Sequence, residues 1–340
     1  MAVDNLVHAV DGRVVFDYLL HEEPAFDGCR LSGNRAFTIS RKSRDPLGYL
    51  GSLKRLFSEH ASEWLAVWIN TGNLANIDIF VMAERYGVRR RILHAHSDTW
   101  LGGRRQIAMT RLNRRRALAL ATDRWACSDG AGKLFFGELP FIVVPDAIPF
   151  DRYAFSENAR RSVRVELGLE GCLVIGTVGA LISRKNHMRI LSLLPAIAER
   201  VPGAHLLVVG EGQEHENLSV LAERLGMGDR LHLVGSQEDV ASYLSAMDVF
   251  AFPSLHEGLG LALIEAQANG LPVVASSACT RDVAITDSIR FVDLEDGCAW
   301  VDGLCGSSRA DVHLNDRAVR FDLSREGDWL ADLFICGVSC

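Results

Sequence analysis

The second part of the chain alternates short apolar runs with longer stretches that have a helical period. The short runs are apolar at nearly every position, which fits strands of a sheet that is buried on both faces. Strands that alternate with helices in this way predict a parallel sheet covered by helices. The strands are predicted at CLVIGTVGAL, AHLLVVG, RLHLVG and DVFAFP, and the helices at HMRILSLLPAIAERV, ENLSVLAERLG and VASYLSAM.

The first part of the chain repeats this alternation less regularly. Pro145 and Pro149 interrupt both periods, which predicts a linker in the segment PDAIPFDRYAF. The strands are predicted at VVFDYLL, RAFTIS, LAVWIN, RRILHAH, RWACS and FIVVPDAI, and the helices at LGYLGSLKRLFSEH, LANIDIFVMAERYG and RRQIAMTRLNRRRALALA.

The whole pattern predicts an α/β protein with two doubly wound, Rossmann-like domains. We expect an N-terminal domain over residues 1–148, a C-terminal domain over residues 149–320 and a closing helix within residues 321–340. Ligands of open parallel sheets bind beyond the carboxyl ends of the strands, so two such domains facing each other would enclose a central cleft.

Composition narrows the class of protein. The 340 residues are 48% hydrophobic and 23% charged, which is typical of a globular chain. A net charge of -7 argues against general nucleic-acid binding, which usually needs a basic domain. The eight cysteines show no C-x-x-C pair and no zinc-finger spacing, as expected in a reducing compartment. No apolar run is long enough to span a bilayer, so we expect a cytoplasmic protein.

Two glutamates stand in the segment PSLHEGLGLALIEAQANGLPVVAS, which predicts a strand, a loop, a helix and a second strand. The helix should begin near Gly260 and end at Gly270 and Pro272. Glu257 then lies in the loop before the helix, and Glu265 lies on the helix. The free N–H groups of the first helical turn would attract an anion.

A second candidate loop follows the first strand of the C-terminal domain. Gly179 is followed by ALISRKNH, which brings Arg184 and Lys185 to the start of a helix. Two cations at this position suit a diphosphate, although a solvated basic loop is the alternative. The G-x-G at Gly210 and Gly212 is a weak dinucleotide signal, since the third glycine and the acidic residue are missing.

Two further features lie in the N-terminal part. His94 and His96 end a strand and point to the same side of it, so they are either a metal pair without a further evident ligand or hydrogen-bonded structural residues. Residues 85–124 carry eleven arginines against two acidic residues. Interleaved apolar residues make this a basic amphipathic segment that either contacts an anionic membrane or forms a solvated face.

Taken together, PSLHEGLGLALIEAQANGLPVVAS, SRKNH, VVGEGQE and the strand-end His96 resemble the family 4 retaining glycosyltransferases of GT-B fold. The most similar branch is the EpsF-like group of exopolysaccharide and capsule synthesis. The resemblance runs from FDYLLHEE through RILHAHS, ACSDGAG and SYLSAMDVFAFPS to FDLSREGDWLADLF.

The resemblance implies transfer of a hexose from a nucleotide sugar, expected to be a UDP-sugar, with retention of configuration. The acceptor would be lipid-linked or a saccharide at the inner membrane face. No metal or cofactor would be required. The closing helix would pack back on the N-terminal domain.

The resemblance also assigns roles to individual residues. Glu257 would face the donor sugar, and Glu265 would accept hydrogen bonds from the ribose. His96 would stabilise the oxocarbenium-like transition state. Arg184 and Lys185 would bind the diphosphate of the donor. The other donor-binding positions would be Gly179 in the same loop and the backbone of Gly258, Leu259 and Gly260.

Three departures from the family pattern leave an alternative open. The usual first strand and glycine-rich loop are missing before MAVDNLVHAV, so we expect a missing N-terminus. Ala180 stands where members often carry arginine, and PDAI stands where they often have Asn-Gly. The alternative is a non-catalytic nucleotide-sugar-binding protein. A glycoside hydrolase also uses two carboxylates, but the position of Glu265 on a helix behind Glu257 suits the ribose better.

Overall fold

The computed structural model describes residues 2–21, 33–257, 259–307, 309 and 313–337. The chain divides into two compact units. Unit 1 comprises Met1–Ala147 with Leu323–Cys340, and unit 2 comprises Ile148–Asp322.

Unit 1 is built on short parallel strands. Strands β1 and β2 form a separate parallel pair, while β3, β4, β5 and β6 form a four-stranded parallel sheet in that order. Its elements are α1 (Ala2–Ala9), β1 (Asp17–Leu20), β2 (Arg35–Thr38), α2 (Pro46–His60), β3 (Ala66–Thr71), α3 (Asp78–Arg85), β4 (Arg90–Ala95), α4 (Arg104–Leu120), β5 (Asp123–Ala126), α5 (Asp129–Phe136), β6 (Ile142–Val143) and α13 (Leu323–Cys336).

Local sequence explains how these elements begin and pack. The Asp45 side chain accepts a hydrogen bond from Gly48 N at 2.9 Å, and proline at the first position of α2 already has the helical φ. On α13, Phe334 packs its ring against Trp68 of β3 and Trp125 of β5 at centroid distances of 4.9 and 5.1 Å. Aromatic burial of this kind attaches α13 to the sheet of unit 1.

Unit 2 is a six-stranded parallel sheet in the order β12-β11-β10-β7-β8-β9. Every residue of β10 and β11 is buried, as expected for strands covered on both faces. Its elements are α6 (Phe150–Tyr153), α7 (Glu157–Leu167), β7 (Leu173–Val178), α8 (His187–Arg200), β8 (Ala204–Val209), α9 (His215–Arg224), β9 (Leu231–Leu233), α10 (Val240–Ala246), β10 (Val249–Phe252), α11 (Leu261–Ala268), β11 (Val273–Ser276), β12 (Ile289–Val292) and α12 (Gly297–Cys305).

The strand order of unit 2 reverses between β7 and β10. Strands β8 and β9 continue on one side of β7, whereas β10, β11 and β12 lie on the other. A crevice opens at such a switch point, because the two flanking connections leave in opposite directions. The loops that leave the carboxyl ends of β7 and β10 are therefore the expected place for a ligand in this unit.

Several features differ from the sequence-based expectation, and α7, α12 and β12 are elements that it did not include. The segment 145–155 was expected to be an irregular linker, but Phe150–Tyr153 forms a short helix with both end residues buried. A buried Tyr153 makes this turn part of the core of unit 2. Helix α5 was not predicted either, although Ser128 caps it by accepting a hydrogen bond from Ala131 N at 3.2 Å. None of the helices within the described residues is long and apolar enough to cross a membrane.

Candidate active site

The loop after β7 carries the two predicted cations. Gly179 has a φ of +153°, a value that favours glycine, and the turn Ser183–Lys185 is a 3₁₀ helix. Asn186 follows in the left-handed conformation and leads into α8. Leu255 N donates to Arg184 O at 2.9 Å, which ties this loop to the loop after β10. Both loops of the switch point are thus joined through their backbones.

The G-x-G after β8 allows two loops to touch through their backbones. A Cβ atom on Gly210 would lie 2.0 Å from the carbonyl oxygen of Gly179, so only glycine fits there. Leu181 N donates to Glu211 O at 2.8 Å across the same contact. This packing against the β7 loop accounts for the G-x-G without a bound dinucleotide.

The side chain of His187, at the start of α8, holds the loop after β7 that carries Arg184 and Lys185. Its Nδ1 lies 3.3 Å from Thr177 Oγ1, and its Nε2 lies 3.3 Å from the carbonyl oxygen of Ala180. Burial lowers the pKa of His187 to about 4, so the ring is neutral at pH 7. The loop is therefore held through the backbone of Ala180.

Glu257 lies against both cations. Lys185 Nζ donates to Glu257 Oε2 at 2.6 Å, and Arg184 Nη1 approaches Oε1 at 3.4 Å. The Lys185 ammonium also stands 4.7 Å from the ring centroid of Phe252. The Arg184 side chain is 49% exposed and that of Lys185 only 14%. Arg184 is therefore the cation that an incoming anion meets first, while Lys185 is held in place.

The N-terminus of α11 lies directly behind Glu257. Gly260 is the N-cap with φ +67° and ψ +67°, a left-handed conformation suited to glycine. A Cβ atom there would lie 3.1 Å from Glu257 Cγ. Leu259 is half-buried just before this turn, and Gly258 lies outside the described residues. The first-turn N–H groups of α11 give the loop a second source of positive potential.

Glu265 is buried on α11, with only 2% of its surface exposed. Tyr153 Oη donates a hydrogen bond to Glu265 Oε1 at 3.1 Å. Burial raises the pKa of Glu265 to about 7, and the bond from Tyr153 only partly offsets that rise. The carboxyl group therefore changes between its protonated and ionised forms near neutral pH.

His96 belongs to unit 1. Its Nε2 lies 2.7 Å from Asn70 Oδ1, and its Nδ1 lies 3.0 Å from Asp146 Oδ1. His94 is fully buried with Nε2 3.1 Å from the carbonyl oxygen of Val144, and burial holds its pKa well below the usual range. His94 thus has the structural role, whereas His96 remains partly accessible.

The arginines of residues 85–124 are spread over several elements. Arg90 pairs with Asp123 at 2.8 Å, and Arg91 donates to the carbonyl oxygen of Leu120 at 2.6 Å. Six of the eleven lie on α4, and five of these six are exposed. The exposed ones are Arg104, Arg105, Arg111, Arg115 and Arg116.

The structure brings Arg184, Lys185 and Glu257 into contact within unit 2. Glu265 and His96 each have their own partners. Four neighbours of these groups carried no signal in the sequence, because their contacts come from residues far apart in the chain. They are Asn70, Asp146, Tyr153 and Phe252.

Part of unit 2 matches a known protein family. Residues 160–293, which contain the whole Arg184–Lys185–Glu257 cluster, match the family model described as Glycosyl transferases group 1. The putative glycosyltransferase EpsF of Bacillus subtilis is 29% identical over 297 residues, 83% of this chain and 76% of EpsF.

One more relative and one solved structure extend the comparison. A GDP-mannose-dependent phosphatidylinositol monomannoside mannosyltransferase of Mycolicibacterium smegmatis is 30% identical over 239 residues, 66% of this chain and 60% of that protein. The crystal structure of Anabaena HepE with UDP and glucose superimposes with a TM-score of 0.74 at 18% identity, covering 97% of this chain and 94% of HepE. The shared architecture shows that this chain has the GT-B fold, and residues 160–293 are similar to the group 1 glycosyl transferases.

Proposed function

We propose that this chain is a retaining hexosyltransferase of family 4 that transfers a hexose from a UDP-sugar in cell-surface polysaccharide synthesis. The contact of Glu257 with Lys185 and Arg184 at the sheet switch point carries the proposal. The site combines two cations and a helix N-terminus, which suit a diphosphate, with one carboxylate, which suits sugar hydroxyls.

Each group has a role in the proposed reaction. Arg184 and Lys185 bind the diphosphate and offset the negative charge that grows on it as the glycosidic bond breaks. Glu257, released from Lys185, accepts hydrogen bonds from the donor sugar. The α11 N-terminus, with the backbone of Gly258, Leu259 and Gly260, approaches the sugar hydroxyls and phosphates. Gly179 gives the diphosphate close access to the loop.

In this proposal, His96 stabilises the positive charge of the transition state. The leaving phosphate takes the proton of the acceptor hydroxyl, so no separate base is needed. No metal or other cofactor is required, because the cations supply the charge that a metal would otherwise provide.

The donor and acceptor classes rest on the relatives. HepE was crystallised with UDP and glucose, and the mycobacterial relative uses GDP-mannose on a phosphatidylinositol mannoside. We favour a UDP-sugar donor and a lipid-linked or saccharide acceptor at the inner face of the membrane. The mannosyltransferase makes GDP-mannose the competing donor to test.

The test is a panel of UDP- and GDP-sugars incubated with the full chain and with a mixture of lipid-linked and free saccharide acceptors. We expect release of nucleoside diphosphate from one UDP-sugar, unchanged by EDTA, and a product with the donor's anomeric configuration by NMR. Release from no donor, with donor binding intact, would favour the non-catalytic alternative. An inverted product would refute the retaining mechanism.

Donor affinity should depend on pH through Glu265. In the free protein its pKa is about 7, whereas ribose hydroxyls would favour the ionised carboxylate. Donor binding then releases a proton, so affinity should rise about tenfold from pH 6 to pH 8. Titration calorimetry with the nucleotide sugar measures this, because its diphosphate diester does not titrate in that range. Glu265→Gln should flatten the profile, and an equal slope in that variant would contradict the ribose role.

The exposed face of α4 supports membrane contact. Met109 and Leu112 are exposed there, with Arg105 and Arg116 on the same face of the helix. Apolar residues flanked by arginines suit an anionic bilayer surface. We therefore propose that α4 lies against anionic lipid at the inner membrane face.

Charge reversal tests the membrane proposal. The double variant Arg105→Glu/Arg116→Glu should bind phosphatidylglycerol vesicles at least tenfold more weakly, since each arginine near such a surface contributes about 1 kcal/mol. Arg161→Glu/Arg224→Glu is the matched control, because both arginines are exposed in unit 2 and the charge change is the same. Vesicle binding is measured by co-sedimentation. If both variants lost binding equally, binding would depend on net charge alone and not on α4.

A further inference from the structure

Three side chains of unit 1 that can bind a metal converge at the carboxyl ends of neighbouring strands. His96 follows β4, Cys127 follows β5 and Asp146 lies beyond β6. One ligand atom from each lies within 4.8 Å of the others. Within the ranges that the structure describes, no other group of three or more histidine, cysteine, aspartate and glutamate side chains is packed this closely.

The orientation of His96 suits a metal ligand. Its Nε2 lies 2.7 Å from Asn70 Oδ1, so a proton on Nε2 is donated to that oxygen and the lone pair is left on Nδ1. Nδ1 is the nitrogen that faces Asp146. Histidines that bind metals usually donate their other N–H to an oxygen in this manner.

Asp146 lacks a hydrogen bond to one of its carboxylate oxygens, and a bound cation would satisfy that oxygen. Its Oδ1 is buried and accepts no hydrogen bond, although it lies 3.0 Å from His96 Nδ1. A buried carboxylate oxygen without a partner is costly. An ion pair with a protonated His96 would relieve part of this cost, but it gives no role to the Cys127 thiol beside it.

Cys127 contributes the sulfur ligand. Burial, together with the nearby Asp146 carboxylate, raises the pKa of the Cys127 thiol to about 12. The thiol therefore keeps its proton in the metal-free protein at neutral pH. A cation that binds sulfur would displace this proton to solvent, so metal binding and proton release are linked.

We propose that His96 Nδ1, Cys127 Sγ and Asp146 Oδ1 form a binding site for Zn²⁺ or a cation of similar preference. One nitrogen, one sulfur and one oxygen ligand suit tetrahedral Zn²⁺ with water in the fourth position, whereas Mg²⁺ and Ca²⁺ prefer oxygen alone. The thiolate and the carboxylate together balance the charge of the ion. Sequence spacing does not reveal this site, because its ligands follow three separate strands.

Occupancy of this site has a consequence that rests on the proposed function. Zn²⁺ on Nδ1 would come between that nitrogen and Asp146 and would add positive charge to the cluster. Added positive charge would oppose the stabilising role proposed for His96, so we expect Zn²⁺ to inhibit a transferase that needs no metal for its chemistry.

The test is a Co²⁺ titration of the chelator-treated full chain, because tetrahedral Co²⁺ bound to a thiolate gives a near-ultraviolet charge-transfer band. We expect that band at one Co²⁺ per chain and its loss on adding Zn²⁺. Cys127→Ser should lack it, and Asp146→Asn should bind Co²⁺ more weakly. Cys279→Ser is the matched control, since Cys279 is also buried with its pKa raised to about 12, and it should keep the band.

Thermal unfolding shows whether each variant is still folded. Zn²⁺ should raise the Tm of the wild type and of Cys279→Ser, but not that of Cys127→Ser. No charge-transfer band in the wild type, or a band that survives in Cys127→Ser, would overturn the site. A band without inhibition of donor turnover would leave the cation site standing and refute the role given to His96.

Discussion

Replacing Glu257 with glutamine should lower kcat for donor turnover by about 100- to 1,000-fold, the loss measured when one group that stabilises a transition state electrostatically is removed. Glutamine keeps the shape and one acceptor oxygen but removes the negative charge that we propose faces the donor sugar. The measurement is nucleoside diphosphate release from the donor identified by the panel.

The same substitution should leave diphosphate binding intact or make it tighter. Glu257 neutralises Lys185 and Arg184 in the ligand-free protein, so its removal leaves both cations free for the diphosphate. We therefore expect kcat to fall while Kd for the nucleoside diphosphate stays equal or decreases. A variant that loses both together would indicate a collapsed loop instead of a lost catalytic charge.

Glu199→Gln is the control for this experiment. Glu199 is exposed on α8 of the same unit, and the substitution removes the same charge. Its kcat and Kd should match those of the wild type. If Glu199→Gln reproduced the loss, the effect would come from net charge, and the assignment of Glu257 would fall.

Asp248→Ala should destabilise unit 2 by about 3 kcal/mol, because it removes one partner of a largely buried ion cluster. The Asp248 carboxylate accepts from Arg160 Nη2 and Arg164 Nη2, both at 2.6 Å, and from Val174 N at 2.8 Å. Without it, two guanidinium groups at the junction of α7, β7 and β10 lose their counter-charge.

Native-state hydrogen exchange of the β7 and β10 amides measures this loss within unit 2. Asp302→Ala is the matched control, because Asp302 pairs with Arg200 on the surface and both side chains are more than half exposed. A surface pair of this kind contributes at most about 1 kcal/mol. Equal losses of stability in the two variants would contradict the expectation that the buried ion pairs contribute more stability than the exposed one.

Sequence reasoning predicted the regular parts of the fold because their signals are local. The apolar runs of β7, β8 and β10 and the glycines around α11 each specify an element within a few residues. Gly260 illustrates this, since the predicted start of α11 coincides with its left-handed N-cap. The Phe150–Tyr153 helix was missed because Pro149 beside it indicates a break as readily as a helix start.

The candidate site was predictable only in part, for a related reason. Arg184, Lys185 and Glu257 stood out because each follows a strand of one parallel sheet. The contacts between these side chains could not be predicted, since 72 positions separate Lys185 from Glu257. The contacts of Tyr153 with Glu265 and of Asp146 with His96 likewise depend on packing between distant elements.

The backbone contact between Gly179 and Gly210 limits which residues this part of unit 2 can accept. No side chain separates the two loops there, so any Cβ atom at position 210 would push the loop after β7 away from the loop after β8. The position of the loop that carries Arg184 and Lys185 therefore depends on the absence of a side chain at a residue that contacts neither of them.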